Sequence, residues 1–359
     1  MKPDGYICGD SRQIALSKGG EHMGDIDFVI AWVDGSDPEW RKRKAALKGD
    51  ISVDDREERY RDWGLLPYWF RGVEKYAPWV RKIWFICDQE PPAWLRTNHP
   101  KLEIVRHEDY LPEEYRPAFS SHPIELNLHR IEGLSERFVY FNDDTYLLRP
   151  VIEEFFFRGG LPCDSALLNT IPTDDLAENH DTRIFYMFLN NASYINRDYE
   201  FRKCLKKNLG KWLHPVYGKD LFRNLILCIW PRLNGTVELH LPQAFLKETF
   251  MEAWKVDHDI LDQTSRHHFR NDHDVNQWFI RLHQIMEGNF AVRKPIRNAV
   301  FTLGKDNGAL VNAVRNQRIP VACINDQTID DDTYMRARTE IISAFQNILP
   351  EKSEFEIKR

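Results

Sequence analysis

The sequence lacks the short motifs by which several common enzyme classes are identified. Its 359 residues contain no GxxxxGKS or GxxxxGKT phosphate loop, no GxSxG turn and no GxGxxG fingerprint. These motifs supply a phosphate-cradling loop, a nucleophilic serine and a dinucleotide-binding turn, so kinase-like, serine-hydrolase and dinucleotide-binding functions are disfavoured. Three neighbouring histidines, His267, His268 and His273, occur without HExxH or similar ligand spacing, and we do not expect a zinc centre.

Paired cysteines are also missing. The six cysteines are scattered and include no CxxC pair: Cys8, Cys87, Cys163, Cys204, Cys228 and Cys323. This spacing predicts neither a metal knuckle nor a small-domain disulfide framework. Most of them have apolar neighbours, which is typical of reduced thiols in a protein core and favours a reducing cytoplasm.

Positive charge of the kind that attracts nucleic acid is lacking. The formal net charge is −6, so no global basic field exists, and we exclude nucleic acid as a partner. Basic clusters occur locally at Arg41–Lys44 and Lys203–Lys207. We interpret them as solvated helix faces, with contact to an anionic membrane surface or an anionic polymer as the alternative.

No apolar run is long enough to cross a bilayer. The most apolar stretch, Leu221–Leu233, is short and is interrupted by Arg223, Asn224 and Pro231. Residues Met1–Gly24 hold no apolar segment of the secretory type and predict a loose tail. We therefore expect a cytoplasmic protein that is soluble or at most peripheral to the inner face of the membrane.

The chain does contain apolar runs that alternate with helical patterns. Asp27–Val33 is continuously apolar after its first residue, ends in an acidic turn and is followed by a charged helical pattern at Glu39–Lys48. This alternation continues and predicts an α/β fold with a mainly parallel sheet. The further strands expected are Lys82–Cys87, Leu102–Val105, Phe138–Phe141, Ala166–Asn169 and Val237–Leu239. The further helices expected are Leu65–Tyr76, Pro123–Leu134 capped by Ser121, Gln243–Trp254, Val275–Ile285 and Asp330–Leu349.

Domain organisation follows from the same pattern. A tail at residues 1–25 is expected to precede one catalytic domain at residues 26–356. Within that domain, Asp174–Leu233 differs from its surroundings because Phe185–Arg232 is helical, aromatic and basic. We predict an inserted or lid-like helical subdomain there.

Carboxylates at the end of a predicted buried strand suggest a metal site. The apolar run Phe138–Phe141 stops at Asn142-Asp143-Asp144. Many α/β enzymes hold a divalent metal and a diphosphate beyond the carboxyl ends of their strands, because ligands bind at that edge of the sheet. The pattern indicates phosphate or nucleotide-sugar chemistry, and a solvated acidic loop is the alternative.

Three other clusters lie where a sheet-based enzyme would place a site. They are Asp34-Gly35 after the first strand, Arg59-Tyr60-Arg61-Asp62 before a helix, and His240 together with Arg270–Asp274. Each has a structural alternative: Asp34 as a turn cap, Arg61 with Asp62 as an ion pair, and His240 as a hydrogen-bonded structural histidine. On the helix after Ser121, Glu125 and His129 share a polar face with Glu132.

Taken together, these clusters resemble a known family. The segments that carry the resemblance are IDFVIAWVDGSDPEW (Ile26–Trp40), RYRDWGLLPYWFRGVEKYAPWVRKIWFI (Arg59–Ile86), FSSHPIELNLHRIEGLSERFVYFNDDTYLLRP (Phe119–Pro150), the His240–Trp278 region, and CINDQ (Cys323–Gln327) with the helix after it. They are similar to the four sequence blocks of the Stealth family, which comprises bacterial capsular polysaccharide phosphotransferases and the catalytic core of N-acetylglucosamine-1-phosphotransferase.

The resemblance implies a fold, a reaction and partners. It implies a GT-A-like core that transfers a sugar-1-phosphate, an N-acetylhexosamine- or hexose-1-phosphate, from a UDP-sugar to a hydroxyl of a sugar or polysaccharide acceptor. The products would be a phosphodiester and UMP. Mg²⁺ or Mn²⁺ would be the cofactor, and a capsule assembly complex at the membrane would be a peripheral partner.

The resemblance also implies which residues form the site. Its Asn-Asp-Asp falls on Asn142, Asp143 and Asp144, with the two aspartates as metal ligands. Its histidine before a proline, its arginine and the acidic residue after it fall on His240, Arg270 and Asp274. The sequence departs from the family pattern at two positions. Asn271 stands where relatives often have histidine. Asp34 stands where animal relatives have asparagine, so a nucleotide contact by Asp34 and Gly35 is a weaker expectation.

The expected roles follow from the charge on a diphosphate. Arg270 would clamp phosphate oxygens with help from Arg61 beside Asp62, and His240 or one of the paired aspartates would take the hydroxyl proton. Glu125, His129 and Arg130 would line the acceptor or sugar pocket. The alternatives are a GT-A glycosyltransferase that releases UDP, a non-catalytic sugar- or polymer-binding protein, and a metal-dependent phosphohydrolase.

Overall fold

The computed structural model describes residues 25–49, 61–171 and 183–358. Almost all of the predicted tail, together with Cys8, Arg59, Tyr60 and the first part of the predicted insertion, lies outside these ranges. The strands are β1 (Ile26–Ala31), β2 (Ile83–Ile86), β3 (Leu102–Val105), β4 (Arg137–Asn142), β5 (Thr145–Leu147), β6 (Phe157–Arg158), β7 (Leu161–Asp164), β8 (Gln243–Leu246), β9 (Ala291–Val292), β10 (Val300–Thr302) and β11 (Val321–Asn325).

Helices cover the sheets and connect their strands. The α-helices are α1 (Pro38–Lys48), α2 (Leu66–Tyr76), α3 (His107–Tyr110), α4 (Ser121–Leu126), α5 (Arg183–Asp198), α6 (Phe201–Lys207), α7 (Leu209–Trp212), α8 (Asp220–Leu227), α9 (Lys247–Val256), α10 (His258–Ser265), α11 (Gln277–Glu287), α12 (Gly308–Arg315) and α13 (Asp331–Ile348). No helix in the described part of the chain combines the length and the apolar character needed to cross a membrane.

The main sheet has the order β3–β2–β1–β4–β8. Strands β3, β2, β1 and β4 are parallel, whereas β8 runs antiparallel to β4 at the edge. In β1, Ile26–Ile30 are all buried, because both faces of the strand are covered. The expectation of a mainly parallel, GT-A-like α/β core is confirmed.

Alternate residues of β1 face two separate apolar layers. Phe28 and Ile30 pack with Trp69 and Phe70 of α2, on the side that α13 also covers. Val29 faces the opposite layer, which includes Phe279 of α11 and residues of α9 and α10. The sheet is therefore enclosed between two helical layers, which leaves the ends of its strands as the accessible edge.

A second sheet adjoins this core and has the order β10–β11–β5. Its strand β5 starts three residues after β4 ends, so the chain leaves one sheet and enters the other at Asp143 and Asp144. The close packing of α2 against β5 depends on Gly72, since a Cβ at that position would lie 3.3 Å from the Leu147 carbonyl oxygen. A small third sheet joins β6, β7 and β9.

Two predicted strands are wrong. Ala166–Asn169 forms only a single bridge, between Leu168 and Thr236, and the strand lies earlier, at β7. Val237–Leu239 is not a strand; instead Gln243–Leu246, which we had placed in a helix, forms β8. All four β8 residues are buried, and Phe245 pairs with Phe138 of β4, so sheet pairing outweighs the local helical pattern.

The helix predicted at Pro123–Leu134 is also wrong in its extent and its cap. Ser120, not Ser121, accepts the capping hydrogen bond, from the His122 amide, and α4 ends at Leu126. The Asn127 side chain donates to the Pro123 carbonyl and to Ser265, so it competes with continued helix formation. A separate single 3₁₀ turn then covers Leu128–Arg130.

The described part of the predicted insertion is helical, as expected. It consists of α5, α6, α7 and α8 with short connections. The boundaries at residues 26–356 and 174–233, and a lid-like role for the insertion, stay predictions.

A buried ion triad ties the third sheet to α11. The Arg281 guanidinium donates to both oxygens of Asp164, at 2.8 Å each, and to Glu238 at 2.7 Å. All three side chains are less than one tenth exposed. Buried charges of this kind are tolerated only when they are paired and hydrogen-bonded, as they are here.

We predict that Arg281→Met destabilises the protein strongly. The substitution leaves Asp164 and Glu238 buried without their cation, and breaking such a pair costs about 3–5 kcal/mol. Urea unfolding measures the change. The matched control is Arg43→Met, which breaks a half-exposed pair with Asp88 and is expected to cost less than about 1 kcal/mol. If both variants lost the same free energy of unfolding, the triad would not be an important source of stability.

Candidate active site

A cleft of about 1420 Å³ opens at the carboxyl ends of the parallel strands β1 and β4. Ala31 and Asn142, the last residues of these strands, are paired in the sheet. The residues that follow each strand, 32–36 and 143–144, line the cleft. This is the edge at which open α/β sheets bind ligands.

The turn Asp143-Asp144 is fixed by hydrogen bonds from residues of the second sheet. The Thr145 hydroxyl donates to the Asn142 carbonyl at 2.7 Å, and the Tyr146 hydroxyl donates to the Asp143 carbonyl at 2.8 Å. The Ile324 amide of β11 donates to the Asp144 carbonyl at 2.8 Å. With its backbone held in this way, the turn presents both carboxylates to the cleft.

The two carboxylates affect each other. Desolvation on the cleft floor, followed by the neighbouring Asp144 charge, raises the pKa of Asp143 to about 7, although His240 opposes the shift. The Asp143 side chain nevertheless reaches the open cleft, where it is exposed. It can therefore gain or lose a proton near neutral pH.

His240 lies directly against Asp144. Its Nε2 atom is 3.1 Å from each Asp144 carboxylate oxygen and 3.2 Å from the Asn142 amide nitrogen. Burial lowers the pKa of His240, but the charge and hydrogen bond of Asp144, with Glu125, outweigh this effect and raise the pKa above its ordinary value. The protonated ring donates to Asp144, and a neutral Nε2 lone pair can instead accept from Asn142.

Cys323 of β11 completes this cluster from the second sheet. Its thiol is 3.4 Å from Asp144 and 3.0 Å from the Asn325 side-chain oxygen. Burial and the adjacent Asp144 carboxylate raise the pKa of the thiol, which remains neutral and donates. Cys323 belongs to the CINDQ segment that carried the resemblance, but its position beside Asp144 was not predicted.

Only one member of this cluster suits a hard cation. One potential ligand atom each from Asp144, His240 and Cys323 lies within 4.8 Å of the others. A neutral thiol is a poor ligand for Mg²⁺ or Mn²⁺, which take carboxylate oxygens. Asp144, with the neighbouring Asp143 carboxylate in the same cleft, is therefore the residue that could hold such an ion.

Arg270 and His122 also line the cleft. The His122 ring is 2.9 Å from one oxygen of Asp274, and the His267 ring is 2.6 Å from the other. Burial alone would raise the pKa of Asp274, but these two histidines and the Asn271 amide lower it. Asp274 therefore does not line the cleft itself but orients His122, which does.

Asp34 and Gly35 line the cleft after β1. The Asp34 carboxylate accepts hydrogen bonds from the Ser36 amide at 2.8 Å and the Ser36 hydroxyl at 2.6 Å. Its backbone pairs with the Gln89 side chain, which also donates to Asp37. The turn-capping alternative therefore describes the contacts of Asp34, although the residue remains at the cleft.

Arg61 and Asp62 also line the cleft. Arg61 Nη2 donates to the Ile329 carbonyl at 3.2 Å, and its guanidinium lies over the Tyr334 ring at 5.2 Å. Its Nη1 atom is buried without a hydrogen-bond partner in the described part of the chain. Asp62 accepts from the Gly64 amide at 2.7 Å. A buried guanidinium nitrogen in this state suits an anionic ligand.

Of the three residues expected to line an acceptor pocket, the structure brings only Glu125 to the cleft. His129 stacks near Phe250 at 5.9 Å, and burial lowers its pKa to about 3. The Arg130 guanidinium lies over Trp254 at 4.8 Å. Because α4 ends at Leu126, the helical spacing that grouped Glu125 with His129 and Glu132 does not exist. The structure places His129 and Arg130 against α9.

Comparison with protein families supports the resemblance. Residues 24–52 match the model described as Stealth protein CR1, conserved region 1. Residues 59–163 match Stealth protein CR2, conserved region 2. These regions contain β1, β4 and the Asp143-Asp144 turn. Known proteins match the chain over nearly its whole length at more than one third identity.

The chain belongs to the Stealth family.

Three relatives illustrate the similarity. Capsular polysaccharide phosphotransferase WcwK of Streptococcus pneumoniae is 39% identical over 94% of this chain and 100% of its own length. Receptor polysaccharide phosphotransferase WefC of Streptococcus oralis is 38% identical over 93% of this chain and 100% of its own length. Exopolysaccharide phosphotransferase cps2G of Lactiplantibacillus plantarum is 35% identical over 92% of this chain and 96% of its own length.

In this Stealth protein, several cleft residues lie in the segments that carried the resemblance but were not singled out as site residues. They include His122, Trp278, Asn325 and Asp326. His122 carried a weak signal, because it is one residue away from Ser121, which we had considered only as a helix cap. Asp326 accepts from the Trp63 indole at 3.0 Å, a contact across more than 260 residues that no local pattern indicates.

Proposed function

We propose that this protein transfers a sugar-1-phosphate from a UDP-sugar to a hydroxyl of a sugar or polysaccharide acceptor, with formation of a phosphodiester and release of UMP. The observation that carries the proposal is the meeting of Asp143, Asp144, His240 and Arg270 in one cleft. The names of the relatives, which are phosphotransferases of capsular, receptor and exopolysaccharides, support the same reaction class.

Two arginines suit the charge of a diphosphate. Arg270 and Arg61 reach the cleft from distant parts of the chain. Within the described residues, one buried guanidinium nitrogen of Arg61 has no hydrogen-bond partner. Attack on the β-phosphorus adds charge to the equatorial oxygens and to the departing UMP. Fixed guanidinium donors stabilise that charge without reorganisation during the reaction.

His240 is the favoured base for the acceptor hydroxyl. Asp144 accepts from Nε2–H, and this tautomer leaves the lone pair on Nδ1, which would take the hydroxyl proton. Asp144 would then stabilise the imidazolium, consistent with the raised pKa of His240. Asp143 is the alternative base, since its pKa lies near 7.

Asp143 and Asp144 would hold Mg²⁺ or Mn²⁺. Such an ion would neutralise diphosphate oxygens. Cys323 contributes through its hydrogen bond to Asp144, which helps fix the carboxylate. Asp274 contributes by holding His122 in place at the cleft.

We also propose a cytoplasmic location. The five cysteines in the described ranges, Cys87, Cys163, Cys204, Cys228 and Cys323, are free. Free and mostly buried thiols are typical of proteins in a reducing compartment.

The nucleotide product is the first prediction of this proposal. With a UDP-sugar and a polysaccharide acceptor, we expect UMP in the medium and a phosphodiester signal in the phosphorus NMR spectrum of the polymer. Release of UDP would instead indicate a GT-A glycosyltransferase, and free sugar phosphate without acceptor would indicate a hydrolase. Binding of donor without any turnover, across a panel of UDP-sugars and acceptors, would indicate a sugar-binding protein.

Arg270→Ala is expected to lower kcat/KM for UMP release by roughly 100-fold or more. Loss of one donor to a developing anion costs about 3 kcal/mol of transition-state stabilisation. The matched control is Arg266→Ala, four residues earlier, whose guanidinium pairs with Asp262 at the surface. Near-normal turnover by the Arg270 variant, with an unchanged fold by circular dichroism, would remove Arg270 from the mechanism.

Removal of divalent metal is expected to abolish turnover. In excess EDTA the Asp143 and Asp144 carboxylates would repel the diphosphate instead of binding it through a cation. Activity should return on addition of Mg²⁺ or Mn²⁺ in excess over the chelator. Undiminished UMP release in EDTA, after passage of the protein over a chelating resin, would refute the metal role.

A further inference from the structure

Helix α8 has its polar and apolar faces reversed with respect to an ordinary surface helix. Its one fully buried side chain is Asn224. The Asn224 side chain accepts from the Leu168 amide at 2.8 Å and donates to the carbonyls of Ala166, at 2.8 Å, and Trp212, at 2.7 Å. The polar residue therefore anchors the helix to the protein, and this orientation is fixed by three hydrogen bonds.

The apolar residues of the same segment face outward. Phe222 is 70% exposed and Ile229 is 67% exposed, with Leu225 and Ile226 about half exposed between them. Their spacing of three, four and seven residues puts them on one face. Bonds from the Cys228 amide to Asn224 and from the Trp230 amide to Leu227 continue the helical turn, so that exposed Trp230 adjoins the face. We call these five residues the apolar patch: Phe222, Leu225, Ile226, Ile229 and Trp230.

The chain segment that carries the apolar patch is basic. Residues 201–232 contain eight lysines and arginines but only one acidic residue, Asp220, in a chain whose net charge is −6. Asp220 is itself paired with Arg297 and lies 3.8 Å from Arg223. Arg202 of α6 donates to the Ile229 carbonyl at 2.8 Å, which brings the basic helix α6 to the edge of the patch.

The apolar patch is linked to the cleft through α5. Ile184 and Phe188, near the start of α5, line the cleft. Asn196, near its end, hydrogen-bonds to the backbone of Leu233, three residues after the patch. Eight helical residues between Phe188 and Asn196 correspond to a rise of about 12 Å. A surface bound at the patch would thus lie close to the cleft.

We propose that the apolar patch and the basic residues around it form a docking surface for an anionic lipid bilayer. Apolar side chains with an adjacent tryptophan would enter the headgroup region, and the surrounding lysines and arginines would contact lipid phosphates. Exposed apolar groups without the charge asymmetry would suit a protein partner equally well. Two of the eight cations in residues 201–232 pair with carboxylates outside that segment, Lys203 with Glu200 and Lys207 with Glu287. The basic residues that remain, in a chain whose net charge is −6, favour the anionic membrane.

The test is sedimentation of the full-length protein with lipid vesicles. We expect binding to vesicles of phosphatidylcholine mixed with phosphatidylglycerol, weaker binding at high salt, and little binding to phosphatidylcholine alone. The triple variant Phe222→Ser, Ile226→Ser, Ile229→Ser should lower the partition coefficient at least about tenfold, because three apolar side chains no longer enter the lipid. These exposed positions leave Asn224 untouched, and urea unfolding checks that the fold is retained.

The matched control replaces three exposed apolar residues that lie elsewhere. Ile152→Ser, Met251→Ser, Met335→Ser removes side chains that are between one half and two thirds exposed, and it should bind vesicles as the unchanged protein does. Failure of the unchanged protein to bind anionic vesicles at low salt would overturn the proposal. So would equal binding by both triple variants. Light scattering without lipid tests the other occupant. If the unchanged protein and the control form dimers and the patch variant does not, the surface binds a second copy of the chain instead. None of these readouts depends on the proposed reaction.

Discussion

The buried contact between Arg281 and its two carboxylates determines much of the geometry around the cleft. Arg281 belongs to α11, whose first residues, Gln277 and Trp278, line the cleft. Asp164 ends β7, and Glu238 lies two residues before His240. One guanidinium therefore joins a helix, a strand and the segment that carries the histidine. Because all three charges are buried, the elements cannot separate without exposing an unpaired ion to an apolar interior.

The second constraint is the change of sheet at Asp143 and Asp144. A loop that joins two paired strands of the same sheet can move together with those strands. Here β4 belongs to the main sheet and β5 pairs with β11 of the second, so the turn is held from both sides. The same junction brings Cys323 of β11 beneath Asp144. Fixed placement of charged groups before the substrate arrives is what electrostatic catalysis requires.

The sequence was informative where a buried strand met a polar turn. The apolar runs of β1 and β4 predicted both strands and the edge at which their acidic ends meet. Local patterns failed where tertiary pairing decided the structure: Gln243–Leu246 becomes a strand only because β4 offers an edge. They failed again at Asn127, whose side chain ends the helix and turns His129 away from the cleft. Contacts such as Asp274 with His122 join residues about 150 positions apart, which no periodicity can reveal.

The rigid placement of two adjacent carboxylates has a thermodynamic consequence. In a mobile loop the Asp143 and Asp144 side chains could relax apart, and their mutual repulsion would largely disappear. The Thr145 and Tyr146 hydroxyls and the Ile324 amide donate to backbone carbonyls of the turn and hold it in position. The fold therefore maintains that repulsion as long as it is intact. A cation that enters the turn lowers the energy of both groups at once, and the protein with its ligand resists unfolding better than the protein without it.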